Sequence, residues 1–213
     1  MWRGALVALL LSSVTAGAIE LEQVRRPTRH FRVANPAILS PMEAETVYRR
    51  ILEDLLRGYA AARLDMVAGY TRWRRYNRAP YRSAMHGERY VNNYANARAH
   101  AYGRLKGGAA MPPGAVITKD SFTVTADGGV FPGPLFVMEK LEPGRAPATS
   151  DWRYVMVMPD GSIFGDTLGS NPEGVEFCAA CHGLQRTTDG LYFVPPAYRE
   201  RPLLELEPGG AAD

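Results

Sequence analysis

The chain has 213 residues, 46% hydrophobic and 22% charged, with a formal net charge of +3. That length suits one domain with a sizeable core, and so small a charge excess implies neither nucleic acid nor an anionic membrane as a partner.

The amino terminus reads as a secretory signal peptide over residues 1–18. Arg3 gives a short positive start, Ala5 to Leu11 an apolar run, and Ala16-Gly17-Ala18 the small residues a signal peptidase accepts. The run is shorter than the roughly 20 apolar residues of a membrane anchor, and no other apolar stretch is long enough to span, so the expected product is soluble and periplasmic. Residues 19–40, with Arg25, Arg26, Pro27, Arg29 and Pro36, read as an extended leader packed onto the single domain expected over 41–213. Ser40-Pro41-Met42-Glu43 opens a helix with an N-cap, a proline at the first helical position and a capping box. Val47, Ile51, Leu55, Tyr59 and Ala62 form its apolar face, and Gly69 is its expected stop. Thr71 to Tyr102 interleaves arginine with tyrosine, a pattern that can mark nucleic-acid binding; in an exported protein it reads instead as amphipathic side chains covering a core edge or pairing with the carboxylates of a bound group. Gly103 to Gly114 is a connector.

The period then changes from helical to alternating. Val116 to Thr125 reads as a strand ending in Asp127-Gly128-Gly129, and Leu135 to Leu141 as a second, placed near an edge by Pro132 and Pro134. Trp152 to Met158 and Ile163-Phe164 flank the turn Pro159-Asp160-Gly161-Ser162. The connectors are too short for crossover helices, so the strands are antiparallel. Asn171-Pro172-Glu173 starts the last helix, and a proline-rich tail follows. The expected fold is α+β: an antiparallel, mostly-β domain with an N-terminal helix and a C-terminal helix.

That last helix carries Cys178-Ala179-Ala180-Cys181-His182, the attachment sequence of a c-type haem. Two thiols one turn apart can form thioethers to one porphyrin, and His182 can ligate its iron. A reducible dithiol and half of a zinc site are the competing readings; a zinc site needs two further ligands, and these are the only cysteines. No methionine or histidine follows His182, so a sixth ligand would have to come from His86, His100, Met111, Met138, Met156 or Met158. The methionines read as core and the histidines as exposed or hydrogen-bonded. An open iron position is expected, which favours ligand binding or catalysis over plain electron transfer. Phe122, Phe131 and Phe136 are candidates to cap the distal side. Alternation puts Glu139 in an apolar row with Leu135, Val137 and Leu141, where burial would raise its pKa toward that of a general base; the competing reading is a strand-end carboxylate that reaches water or pairs with an arginine. Lys119 by itself reads as a solvated strand lysine.

Several blocks in order resemble the cytochrome P-460 family: M-H-G-E-R-Y-V-N-N-Y-A-N from Met85, M-P-P-G-A-V-I-T-K-D-S-F from Met111, G-P-L-F-V-M-E-K from Gly133, D-W-R-Y-V-M-V-M-P-D-G from Asp151, and C-A-A-C-H. The resemblance covers roughly residues 70 to 185. It implies an exported, mostly-β homodimer with haem c on Cys178 and Cys181 and a five-coordinate iron on His182. It further implies a bond from Lys119 to the macrocycle, Glu139 as the proton-relaying carboxylate, hydroxylamine as substrate and a redox protein as electron acceptor. A related branch, the β-rich cytochromes c-prime, lacks the lysine bond and binds nitric oxide.

Overall fold

The protein is described by a computed structural model over residues 35–200. The expected signal peptide, most of the leader and the end of the tail lie outside the described residues.

The first helix, α1, spans Pro41–Ala60. Ser40 caps it as expected: its Oγ accepts from Glu43 N at 3.3 Å, and Glu43 Oε2 accepts from Ser40 N at 2.8 Å. It ends at Ala60 rather than near Gly69, because the chain turns through Ala61 and two 3-10 turns (Asp65–Val67 and Tyr70–Arg72) that fold back onto the sheet. Eight strands follow among the described residues: β1 Arg74–Arg75, β2 Tyr81–Ser83, β3 Arg89–Ala95, β4 Val116–Val124, β5 Val130–Pro132, β6 Leu135–Lys140, β7 Trp152–Val157 and β8 Ile163–Asp166. They form one sheet, β1-β3-β4-β6-β7-β8, with β2 added on β3 and β5 on β4. Every strand pairing is antiparallel, as the short connectors require.

Two expectations are corrected. The strand Leu135–Lys140 is interior, hydrogen-bonded to β4 on one side and β7 on the other. Pro132 instead ends β5 and Pro134 lies in the break before β6, the two half-strands lining successive stretches of β4. Gly133 allows the break: a Cβ there would fall 2.4 Å from Ser121 Oγ and 3.0 Å from Ser121 O. The arginine- and tyrosine-rich segment also holds a central strand, β3. It is buried on both faces, so the polar–apolar alternation that would reveal it is absent.

The sheet separates two cores. On one face α1 packs through Ala44, Tyr48, Leu55 and Tyr59 against Tyr90, Tyr94, Val116, Phe122, Leu135, Val137 and Val155. On the other, Val91, Ala95, Ile117, Met138, Trp152 and Tyr154 meet Leu191, Val194, Cys178 and Ala179. Burying each such large apolar side chain contributes about 1.5–3 kcal/mol. The second helix, α2, spans Glu176–His182 after a 3-10 turn over Pro172–Val175. Leader residues 35–37 pack on the domain, Pro36 bridging Thr125 and Ala37 N bonding Val124 O. The described part of the tail, up to residue 200, is irregular but tied down, Arg199 bridging Asn77. Among the described residues, no helix is long and apolar enough to cross a membrane.

Candidate functional site

The site is built on the sheet face away from α1. Helix α2 brings Cys178 and Cys181 there one turn apart, both as free, half-buried thiols. Burial, then the neighbouring Cys181, pushes the Cys178 thiol up to about 12. A thiol activated as a redox thiolate would show the opposite shift.

His182 is held by the loop that follows its helix. Its Nδ1 lies 2.7 Å from Gly190 O. A carbonyl only accepts, so Nδ1 carries the proton and Nε2 has the lone pair a metal would use. Tyr154 and Tyr192 flank the imidazole at 5.6 and 5.4 Å between ring centroids, and Tyr192 Oη donates to Cys181 O at 3.1 Å. The loop is anchored through Asp189. Its carboxylate accepts from Lys140 Nζ at 2.7 Å and from Met111 N at 2.8 Å, and its carbonyl accepts from Trp152 Nε1 at 2.7 Å. Lys140 and Trp152 are directly paired across β6 and β7, so a buried ion pair on the sheet sets where Gly190 O meets His182. Two reduced thiols at this spacing with a tautomer-fixed imidazole suit covalent attachment and single-histidine ligation of a haem.

Cross-strand partners share a face. Lys119 is opposite Asn93 on β3 and Phe136 on β6, and Phe136 is opposite Met156 on β7. The next row on that face is Ala95, Ile117, Met138 and Tyr154, the last touching His182. Lys119 therefore belongs to the face that α2 covers. It is 8% exposed, not the solvated lysine that its strand context suggests. Burial lowers it to about 8, opposed by the nearby Cys181 and Cys178. Its Nζ lies 3.4 Å from His86 Nε2.

Glu139 is not brought to this site. It pairs with Val116 and Arg153 across the strands and so lies on the α1 face. Leu135 and Val137 do share that face, as alternation requires, but at the strand end the carboxylate turns to Arg153 Nη1 at 3.2 Å. Arg153 also binds Asp166 through Nε at 2.9 Å and Nη2 at 2.6 Å. The competing reading of Glu139, a carboxylate paired with an arginine, is the one the geometry matches.

Met111, Met138 and Met156 are buried in the core, and His100 is exposed. Phe122 lies under α1 and Phe131 is exposed, which leaves Phe136 on the Lys119 face. Of the two alternatives for His86, exposed or hydrogen-bonded, the second holds, and the residue is buried. Sequence reasoning missed two residues: Asp189 anchors the loop, and Asp120, beside Lys119 but facing α1, is a fully buried carboxylate. Asp120 could have been found, since strict alternation sets it among Thr118 and Phe122. Among the described residues no group of three or more His, Cys, Asp or Glu side chains is gathered to hold one metal ion. Compared with known proteins, the chain matches no family model and no curated protein.

Proposed function

We propose that the protein is an exported c-type haem protein that oxidises hydroxylamine at an open iron position and passes the electrons to a redox protein. The observation that carries this reading is a buried lysine, Lys119, on the same sheet face as the two thiols of a C-x-x-C-H helix. In it, Cys178 and Cys181 hold haem c and His182 ligates the iron through Nε2, with Gly190 O fixing the ring. When bound, the haem supplies a ligand-binding, redox-active iron. Lys119, with part of its amine neutral near pH 8, is the group positioned to bond to the macrocycle. Phe136, Met138 and Met156 share its face and would present an apolar surface to a haem held there. Export and a homodimeric state follow the amino-terminal pattern and the family resemblance.

A reduced absorption spectrum of the purified protein tests the reading. A band shifted far to the red that survives denaturation, with a haem peptide whose mass includes the Lys119 segment, is the expected result. An ordinary c-type spectrum and a haem peptide confined to the 178–182 segment refute the lysine bond; the absence of covalent haem refutes the whole reading. One observation favours a second reading, a nitric-oxide-binding protein without turnover: Glu139 faces α1 in its ion pair with Arg153, which removes the expected carboxylate relay. Hydroxylamine-dependent reduction of an added electron acceptor separates the two.

A further inference from the structure

With Glu139 on the other face, the Lys119 side has a different group suited to take a proton. His86 ends a 3-10 turn, Ala84–His86, that Gly87 closes at φ +76°, a conformation that glycine adopts without strain. The turn carries the imidazole under the sheet, where only 9% of the residue is exposed. Nε2 is 3.4 Å from Lys119 Nζ and Nδ1 is 2.9 Å from Ser83 Oγ, while the ring packs on Phe136 at 5.1 Å between centroids. The charged groups around it come from several elements. Lys119 faces it from β4, Arg89 of β3 donates through Nη1 to the His86 carbonyl at 3.2 Å, and Glu88 reaches Arg82 at 3.2 Å. Phe136 from β6 is apolar, and the α2 thiols act on Lys119.

We propose that His86 is the proton acceptor of this site. A protic nitrogenous ligand arriving on the Lys119 face gives its proton to Nε2, and the imidazolium is held by Nδ1–H donation to Ser83 Oγ. The bonding electron pair stays on the ligand, so the step needs no oxidant. A free Lys119 ammonium, 3.4 Å away, would oppose a second cation on the imidazole; an amine nitrogen bonded to the macrocycle, as in the haem reading, would carry no such charge. The inference rests on the haem reading above and replaces the carboxylate in that reading with an imidazole.

Cyanide and nitric oxide serve as probes of the haem-loaded protein. Hydrogen cyanide must lose a proton to bind ferric iron, whereas nitric oxide binding to ferrous iron needs no acceptor. In His86→Gln, which keeps a polar side chain but cannot take the proton, cyanide association should slow about 100-fold, and nitric oxide association should change less than about 3-fold. Ser83→Ala should slow cyanide by about 10-fold with an unchanged spectrum, and it stands in if His86→Gln does not accumulate. Unchanged cyanide rates in both variants overturn the proposal. So does parallel slowing of both probes, which indicates a steric role, or a loss confined to Glu139→Gln. Failure of the haem reading is distinct: no haem absorption is present before any probe is added.

Discussion

Asp120→Ala puts the physical account of β4 to its sharpest test. Asp120 and Lys119 are neighbours on β4 with opposite faces: Lys119 looks into the candidate site, and Asp120 looks under α1 with no exposed surface. Its Oδ2 accepts from Tyr48 Oη at 2.7 Å and from Tyr70 Oη at 2.9 Å, and its Oδ1 from Asn92 Nδ2 at 3.0 Å. Removing the carboxylate strands these donors unequally. Tyr48 can turn to Tyr94 Oη, already 2.8 Å away. Tyr70 and Asn92 lose their acceptor, and each buried unsatisfied donor costs about 1–3 kcal/mol. The expected loss is about 2–6 kcal/mol, a large share of a typical domain's 5–15 kcal/mol. It should appear in urea unfolding as a lower midpoint at unchanged slope. Asp120→Asn, which keeps one acceptor oxygen, should lose less than half as much. The sign with pH is unusual for a carboxylate. Burial outweighs the hydrogen bonds and raises Asp120 above its ordinary 3.8. Its protonated form therefore contributes most below that value, and the contribution is lost as pH rises through the folded pKa. Relative to Asp120→Asn, the natural protein should weaken as pH rises from about 4. A loss below about 1 kcal/mol for Asp120→Ala, or a difference from Asn that is flat with pH, would refute the argument.

Other outcomes follow from the same geometry. Lys140→Met leaves Asp189 buried without its cation and should cost about 3–5 kcal/mol in urea unfolding; Lys140→Met/Asp189→Leu should recover most of it, because the uncompensated charge is gone. In protein expressed without attached haem, Lys119→Met should be more stable at pH 7 by roughly 3 kcal/mol. The folded pKa is depressed from 10.5 to about 8, so the lysine's penalty is full below about 8 and disappears above about 10.5; unfolding measured across that window should show the gap closing. Glu139→Gln breaks only a partly exposed ion pair with Arg153 and should cost at most about 1 kcal/mol. It should also leave hydroxylamine turnover intact, whereas a collapse of turnover would return the carboxylate to the site.

Local rules were legible where one chemistry decides the outcome. The capping box fixed the start of α1, since Ser40 and Glu43 satisfy each other's backbone without help from the rest of the fold. Turn residues and alternation found β4, β6, β7 and β8 to within a few residues, and all pairings came out antiparallel. The same rules failed for β3, where Asn92 and Asn93 are wholly buried and bonded to Asp120, Asn77, Tyr81 and Tyr102. Partners from distant segments make those polar residues core residues. Proline misled at β6 for a related reason: a break between two half-strands resembles an edge unless the neighbouring strand is known.

The site divides along the same line. Spacing alone assembles the two thiols and the imidazole, because one short helix carries all three. It also alternates Glu139 against its neighbours correctly, yet it cannot say which face of the sheet is which. Cross-strand register decides that. By pairing Lys119 with Phe136 and Glu139 with Arg153, it puts the lysine under α2 and the carboxylate under α1. The turn before β3 then brings His86, 33 residues from Lys119 in the chain, to 3.4 Å from its amine. The sequence by itself determined that one short helix carries the two thiols and the imidazole. The tertiary structure decided which side chains face it, because side-chain direction in a sheet has a period of two, and only the pairing of distant strands assigns each half of that period to a face.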